Sequence, residues 1–178
     1  MITSDPGKKR VHPRLKNYDY SLPGAYFITI CTNKRRKLFG EICVGRDLCV
    51  PPSPARVIAE KWIRQIERKL PTCKVDPAAV MPNHVHLLLT LEPKAGHTGP
   101  ALRDGTITVP GIIQWYKTMT ANDYIRAVKD GLLPPFETTI WQRSFYDHVI
   151  RGEEDYLRIW RYIDENPARW AEDEYYSE

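Results

Sequence analysis

The sequence predicts an α+β fold in which one antiparallel sheet is flanked by helices. Three observations carry this: β-branched and aromatic runs of strand length, segments of helical apolar spacing between them, and the order β, α, β, β, α, β, α. The first run, Tyr26 to Thr32 (YFITICT), stops at the charged Asn33-Lys34-Arg35-Arg36-Lys37, so a strand runs into a basic turn. Val50-Pro51-Pro52-Ser53-Pro54 is a rigid breaker. After it, Ala55 to Leu70 places Val57, Ile58, Trp62, Ile63 (or Ile66) and Leu70 at helical spacing, with Lys61, Arg64, Arg68 and Lys69 elsewhere around the cylinder.

Lys74 to Val80 reads as a second strand, Met81-Pro82-Asn83 as a turn, and His84 to Leu91 (HVHLLLTL) as a third strand that pairs with the second in a hairpin. Glu92 to Gly111 holds four glycines and three prolines, the composition of a flexible, exposed loop. Ile112 to Lys129 is helical, with Ile112, Tyr116, Met119, Thr120, Ala127 and Val128 near one stripe, and Gly131, Pro134 and Pro135 end it. Trp141 to Ile150 is a candidate fourth strand. Gly152 and the carboxylates of Glu153, Glu154 and Asp155 then open a last helix at its positive end, and Pro167 closes it. This order is that of a ferredoxin-like split βαβ sandwich with an added C-terminal helix.

The 178 residues fit one domain, read as residues 18–170 between a basic arm, 1–17, and an acidic tail, 171–178. With 42% apolar and 11% aromatic residues, disordered and collagen-like classes are excluded for the bulk of the chain. The net charge of +4 hides a split: residues 1–70 carry 15 basic and 6 acidic side chains, residues 71–178 carry 11 and 16. A basic front half suits a polyanion such as nucleic acid, although a solvated charged face has the same composition. Cys31, Cys43, Cys49 and Cys73 form no CxxC pair, which excludes a zinc finger and argues against a disulfide framework. No apolar run approaches the roughly 20 residues needed to span a bilayer, and the first ten residues lack the apolar core of a signal peptide. No membrane partner is expected, and a reducing, cytoplasmic location is.

Side chains two apart on a strand point to the same face, so His84 and His86 project together while Val85 faces the other way. Two such imidazoles can converge on one divalent ion, or can simply pack at a sheet surface. On the last helix, Tyr156, Ile159, Trp160 and Ile163 make one apolar stripe, and Tyr162 and Asn166 lie together on its flank as i and i+4 neighbours. Tyr162 is therefore either a half-buried side chain with its hydroxyl in water or a functional phenol. Tyr116 lies within its own helix's apolar stripe and reads as core.

The runs Met81-Pro82-Asn83-His84-Val85-His86-Leu87-Leu88, Trp141-Gln142-Arg143-Ser144-Phe145-Tyr146-Asp147-His148 and Arg161-Tyr162-Ile163-Asp164-Glu165-Asn166-Pro167, in that order, resemble the single-tyrosine HUH transposases, in particular the REP-associated tyrosine transposases. The similarity spans about residues 17 to 170. It implies a DNA nickase and strand transferase that moves single-stranded DNA next to a hairpin, either a REP-like repeat or the end of a mobile element. The resemblance places divalent-metal binding on His84 and His86, with Asn166 completing the metal site, and the nucleophile on Tyr162. Relatives often carry Gln where Asn166 stands, one methylene longer. It implies a 5′-phosphotyrosine link with a free 3′-OH, a homodimer or a monomer, and a cytoplasmic, nucleoid-associated enzyme.

Tyrosine suits such chemistry because a phenol of pKa near 10 is a nucleophile when deprotonated and a better leaving group than an alkoxide, so the bond energy is kept for rejoining. Deprotonation at neutral pH costs about 4 kcal/mol, part of which a metal offsets by neutralising charge on the phosphate. Oxygen-rich substrate favours Mg²⁺ or Mn²⁺, while two histidines also accept Zn²⁺ or Co²⁺. For phosphate contacts the sequence offers the N-terminal arm, Lys34, Arg35, Arg36 and Lys37, and Arg64, Arg68 and Lys69. Tyr18, Tyr20 or Trp115 could stack unpaired bases. Arg143, Lys117 and His148 are near-site candidates, His148 with an equally simple structural role at a strand end. The competing class is a nucleic-acid binder on the same sheet, without catalysis, whose histidines are structural.

Overall fold

The computed structural model describes residues 15, 17–42, 51–93 and 107–176. Cys43, Cys49, almost all of the basic arm, and residues 94–106 of the Glu92–Gly111 loop lie outside the described residues. Four strands, β1 (Gly24–Cys31), β2 (Cys73–Val80), β3 (His84–Leu91) and β4 (Tyr146–Val149), form one sheet in the order β2-β3-β1-β4, every pair antiparallel. Three helices, α1 (Pro54–Lys69), α2 (Val109–Lys129) and α3 (Glu153–Glu165), complete the β1-α1-β2 and β3-α2-β4 halves and the added C-terminal helix. The fold is the expected α+β split βαβ sandwich.

Strand alternation sorts the side chains into two layers. Tyr26, Ile28 and Ile30 of β1 and Val85, Leu87 and Leu89 of β3 are fully buried against α1 and α2. Phe27, Leu88, Ala79 and Met81 face the other way and pack on Ile159 and Ile163 of α3. Burying residues of this size stabilises by roughly 1.5–3 kcal/mol each, so the apolar stripe of α3 fixes that helix across the sheet. Antiparallel pairing aligns Thr29 with His86 and Cys31 with His84, which puts the middle of β1 under both imidazoles.

The helix ends follow their capping chemistry. Ser53 Oγ accepts from Arg56 N at 3.2 Å with Pro54 opening α1, and Thr108 Oγ1 accepts from Gly111 N at 3.1 Å, which starts α2 three residues before the predicted Ile112. Gly152 takes φ +93° at the sharp entry to α3, a conformation that other residues rarely adopt.

Two expectations shift. The stripe of α1 is rotated: Ala55, Ala59, Ile63 and Ile66 are buried and Val57 is 45% exposed, because two small alanines let the helix approach the sheet along their own face. The fourth strand is shorter than Trp141–Ile150. Trp141 donates its indole N–H to Thr120 Oγ1 at 2.8 Å and keeps a single bridge to Thr32, while Lys117 Nζ donates to the carbonyls of Gln142 (3.0 Å) and Ser144 (2.7 Å). Lys117 is thus a buried tether that takes carbonyls away from the ladder, and regular pairing begins only at Tyr146. Cys31 and Cys73 are buried free thiols, and burial pushes both above the usual thiol range. Among the described residues no helix is long and apolar enough to cross a membrane.

Candidate active site

The sheet face under α3 brings His84, His86, Tyr162 and Asn166 together. The two imidazoles are fully buried, with Nε2 atoms 2.9 Å apart. Each is held from behind through its other nitrogen: His84 Nδ1 lies 2.8 Å from Asn83 Oδ1, and His86 Nδ1 lies 2.9 Å from Thr29 Oγ1. Phe27 packs on both His86 and Tyr162, whose own rings are 5.4 Å apart edge to face. A cavity of about 400 Å³ opens in front, lined by Phe27, Thr29, His86, Tyr162 and Asn166, with Arg158 and Arg169 among the side chains further along it.

A fifth residue sits at the centre. After Asn166 the chain continues as a 3-10 segment, Asn166–Glu172, instead of ending, and this turns Asp173 back onto the imidazoles. Asp173 Oδ2 accepts from Asn166 Nδ2 at 2.6 Å and from the Tyr162 hydroxyl at 3.1 Å, and Oδ1 accepts from the backbone N–H of Tyr175 at 2.6 Å. Its oxygens are 3.9 Å from His84 Nε2 and 3.8 Å from His86 Nε2. Tyr175 is itself buried on the His84 ring. The segment expected as an acidic tail therefore supplies a carboxylate at the heart of the site, and its boundary at residue 170 falls within the 3-10 segment.

The electrostatics follow from this packing. Burial, and for His84 the neighbouring His86, lowers both imidazoles below the usual histidine range, His84 to about 3, so both are neutral with lone pairs available. Burial pushes Asp173 upward, but the donors and imidazoles around it outweigh that and hold it well below the usual carboxylate range. Burial, reinforced by the Asp173 charge, raises the Tyr162 phenol far above its ordinary value. A carboxylate beside a phenol keeps the proton on the phenol until the local negative charge is neutralised.

The folded chain refuses protons that unfolded histidines accept below about pH 6.5, so stability present at neutral pH is lost as the pH falls toward the folded values. Asp173 adds to the loss only below the unfolded aspartate value near 3.8. Thermal melts in EDTA from pH 7.5 to 4.5 are expected to show a falling Tm, with a smaller fall in His84→Gln; equal falls would exclude the assignment.

The donor set fits a divalent ion. His84, His86 and Asp173 each offer one ligand atom, all within 4.8 Å of one another. The imidazole nitrogens, 2.9 Å apart, present two donors to one point on the sheet face. Asn166 is buried, yet among the described residues its Oδ1 has no hydrogen-bond partner, and such an acceptor suits a ligand.

The basic candidates divide into two groups. Lys34 to Lys37 follow β1 directly on the site side: Arg35 lies over the Tyr175 ring at 5.1 Å and Lys37 over Tyr176 at 5.8 Å, while Lys34 pairs with Glu137 and Arg36 donates to Thr139 O. Arg64, Arg68 and Lys69 are exposed on α1, in the layer on the opposite face of the sheet, where Arg64 is 3.9 Å from Glu60 and Lys69 covers Trp115. Tyr18, Tyr20 and Trp115 pack into or against the main core, and Trp115 meets Trp62 edge to face. His148 binds Asp155 at 2.7 Å on exposed β4, and Arg143 is exposed beside a separate groove on α2. Asp173, Thr29 and Asn83 were not among the predicted site residues. Asn83 stood in the turn before the histidines and Thr29 shares a strand face with Phe27, but nothing in the local pattern points to Asp173.

The family described as "Transposase IS200 like" matches residues 24–166, a span that includes His84, His86, Tyr162 and Asn166. An uncharacterized protein of Haemophilus influenzae is 31% identical over 169 residues, covering 92% of this chain and 91% of its own. A solved REP-associated tyrosine transposase bound to a REP hairpin has the same fold, with a TM-score of 0.54 at 22% identity over 88% of this chain and 73% of that one. A putative transposase from Deinococcus radiodurans is 18% identical over 85% of this chain and 95% of its own, with a TM-score of 0.48. The chain belongs to the IS200-like transposase family.

Proposed function

We propose that this transposase-family protein is a metal-dependent endonuclease and strand transferase for single-stranded DNA next to a hairpin, with Tyr162 as nucleophile. The observation that carries the reading is the convergence of the Tyr162 phenol, the His86 imidazole and the Asn166 amide on one cavity, with the His84 imidazole packed against His86 behind it. His84, His86 and Asn166 would hold the ion, with Asp173 as an additional oxygen donor. Bound Mg²⁺ or Mn²⁺ would supply charge neutralisation at a phosphate and lower the cost of the phenolate.

In the reaction the Tyr162 oxygen attacks phosphorus, the new O–P bond forms as the P–O3′ bond breaks, and the leaving 3′ oxygen takes up a proton. The phenol proton is lost to solvent through the open cavity, and the Asp173 carboxylate, held well below the usual carboxylate range, orients the hydroxyl that faces it at 3.1 Å. Reversal with another 3′-OH rejoins the strand, so no nucleotide cofactor is needed. Phe27 packs edge to face on Tyr162 and tilted on His86 and keeps the nucleophile beside the imidazoles of its own chain, which supports catalysis within one protomer. Arg35 and Lys37 are the phosphate contacts best placed to lead a strand into the site. The hairpin partner is supported by the REP hairpin bound to the solved transposase of the same fold.

Incubation with single-stranded DNA carrying REP-like hairpins, with Mn²⁺ or with EDTA, tests this. A denaturation-resistant protein–DNA adduct that forms only with the metal is expected. Salt-sensitive hairpin binding with no adduct under any metal would identify a binding protein instead.

A further inference from the structure

Among the described residues, three of the phenylalanine, tyrosine and tryptophan side chains are exposed, Tyr146 at 46%, Tyr176 at 42% and Tyr162 at 37%, and all three stand at the site. Tyr18, Tyr20 and Trp115, which the sequence offers for stacking, are drawn into or against the main core instead. Tyr146 and Tyr176 end a continuous run of rings. Tyr175 packs on His84 at 4.9 Å between ring centroids and meets Tyr146 at 5.9 Å; Trp170 packs on His84 at 5.9 Å and meets Tyr176 at 5.2 Å. Tyr146 lies on this face because it pairs with Thr29 across the β1–β4 ladder, and residues directly opposite share a face.

The basic turn after β1 supplies one cation to each arm of this run. Arg35 lies over Tyr175 and Lys37 over Tyr176; both are exposed, and neither forms an ion pair among the described residues. Their neighbours fasten the turn. Asn33 Nδ2 donates to Thr138 Oγ1 at 2.9 Å, Lys34 pairs with Glu137 at 2.8 Å, and Arg36 donates to Thr139 O at 3.3 Å. Lys34 and Arg35 take φ of +56° and +53°, the left-handed region that glycine enters without steric cost. A turn that needed only this shape would be met by glycine. Two long cations held there against strain point to a use for the side chains themselves.

Resting on the single-stranded DNA substrate proposed above, we propose that Tyr146 and Tyr176 are base-stacking residues that hold the strand at the site. Each takes the face of one unpaired base next to the hairpin, while Arg35 and Lys37 hold phosphates of the same segment. Every base has an aromatic face, so a tyrosine ring accepts it whatever its identity, and cations beside the rings neutralise the backbone that accompanies it. In the stem each base is already covered by its stacked neighbours. The tyrosines therefore select the unpaired flank and add nothing to binding of the paired stem. This contact involves no divalent ion, so strand binding and phosphate chemistry are served by separate groups of side chains.

Fluorescence anisotropy in EDTA, with a hairpin stem alone and the same hairpin carrying a single-stranded flank, tests this. Tyr146→Ala combined with Tyr176→Ala is expected to weaken binding of the flanked hairpin about ten- to a hundredfold and of the stem alone by less than about threefold. The corresponding pair of Phe substitutions is expected to bind both as the native protein does. The base analogue 2-aminopurine, placed at successive flank positions, is expected to be quenched on binding by the native chain and the Phe pair, but not by the Ala pair. Arg35→Gly is expected to weaken flank binding about three- to tenfold with no fall in Tm, since glycine relieves the backbone while the charge is lost; a lower Tm with native binding would make Arg35 structural. No quenching in the native chain, equal losses on both hairpins, or flank binding unchanged in the Ala pair would overturn the stacking role, and a Mn²⁺-dependent adduct in the native protein would then leave the Tyr162 reaction standing. Quenching lost in the Ala pair, with no adduct from the native protein under any metal, would overturn the reaction and leave the stacking surface.

Discussion

Tyr162→Phe is expected to abolish covalent adduct formation, a loss on the order of a thousandfold or more, while leaving folding and hairpin binding close to native. The substitution removes one oxygen and keeps the ring. Phe27 and His86 retain their edge-on contacts, and Asp173 retains two of its three donors, Asn166 Nδ2 and Tyr175 N–H. The lost hydrogen bond goes to an ionised carboxylate, where such bonds are worth about 1.5–3 kcal/mol, but its donor is 37% exposed and Asp173 keeps two donors, so the fall in Tm is a few degrees at most. A simple structural tyrosine would give the opposite pattern, with little effect on adduct and the effect, if any, on stability. Adduct yield on denaturing gels and hairpin affinity by fluorescence anisotropy, measured on the same preparation, separate the two. Retained adduct would remove Tyr162 as the nucleophile and direct attention to Tyr175, the other phenol of the cavity lining, which is buried on the His84 ring.

The elements around the site were legible where the pattern repeats. HVHLLLTL is an apolar run of strand length bounded by the Pro82-Asn83 turn, so β3 begins at His84 and ends at Leu91 as read, and the two-residue period of a strand puts both histidines on the face away from Val85. The stripe of α3 was equally plain: Ile159 and Ile163 are buried, and Tyr162 and Asn166 follow on the flank. What escaped depends on contacts distant in sequence. The approach of α1 is set by Ala55 and Ala59, which carry little weight in an apolar pattern but leave room for close packing. The start of β4 is set by the amine of Lys117, over twenty residues earlier, which removes two carbonyls from pairing. Asp173 was hidden for a stronger reason. It lies beyond Pro167, where helical periodicity ceases to apply, in a run of acids that reads as solvated chain, and only the 3-10 continuation returns it to β3.

Divalent metal is expected to stabilise the native protein strongly and the histidine variants hardly at all. In the metal-free fold an ionised Asp173 is buried beside two neutral imidazoles, and a cation among them relieves a charge that only hydrogen bonds now offset. At a concentration of Mn²⁺ one hundred times its Kd, linkage contributes about 2.7 kcal/mol, which in a chain of this size corresponds to a Tm increase of roughly 5–10 °C. His84→Ala with His86→Ala removes both nitrogens, so this increase is expected to vanish, on top of a metal-independent loss from the emptied volume of two fully buried rings. Asp173→Asn separates charge from packing. Its amide fills the same space, but an NH₂ then faces one of the donors that now serve the carboxylate, Asn166 Nδ2 and the Tyr162 hydroxyl on one oxygen and the Tyr175 N–H on the other, so the metal-free Tm falls. If the carboxylate contributes to holding the ion, the Mn²⁺-induced shift in this variant shrinks as well, by about 3–5 °C for a tenfold weaker site. A shift of native size in Asp173→Asn would confine the binding to the histidines and Asn166, and a native shift in the double histidine variant would move it off the HUH motif altogether. Melting curves at graded Mn²⁺, with EDTA as the reference, read all of these outcomes without a DNA substrate, so the metal site is tested separately from the reaction proposed for it.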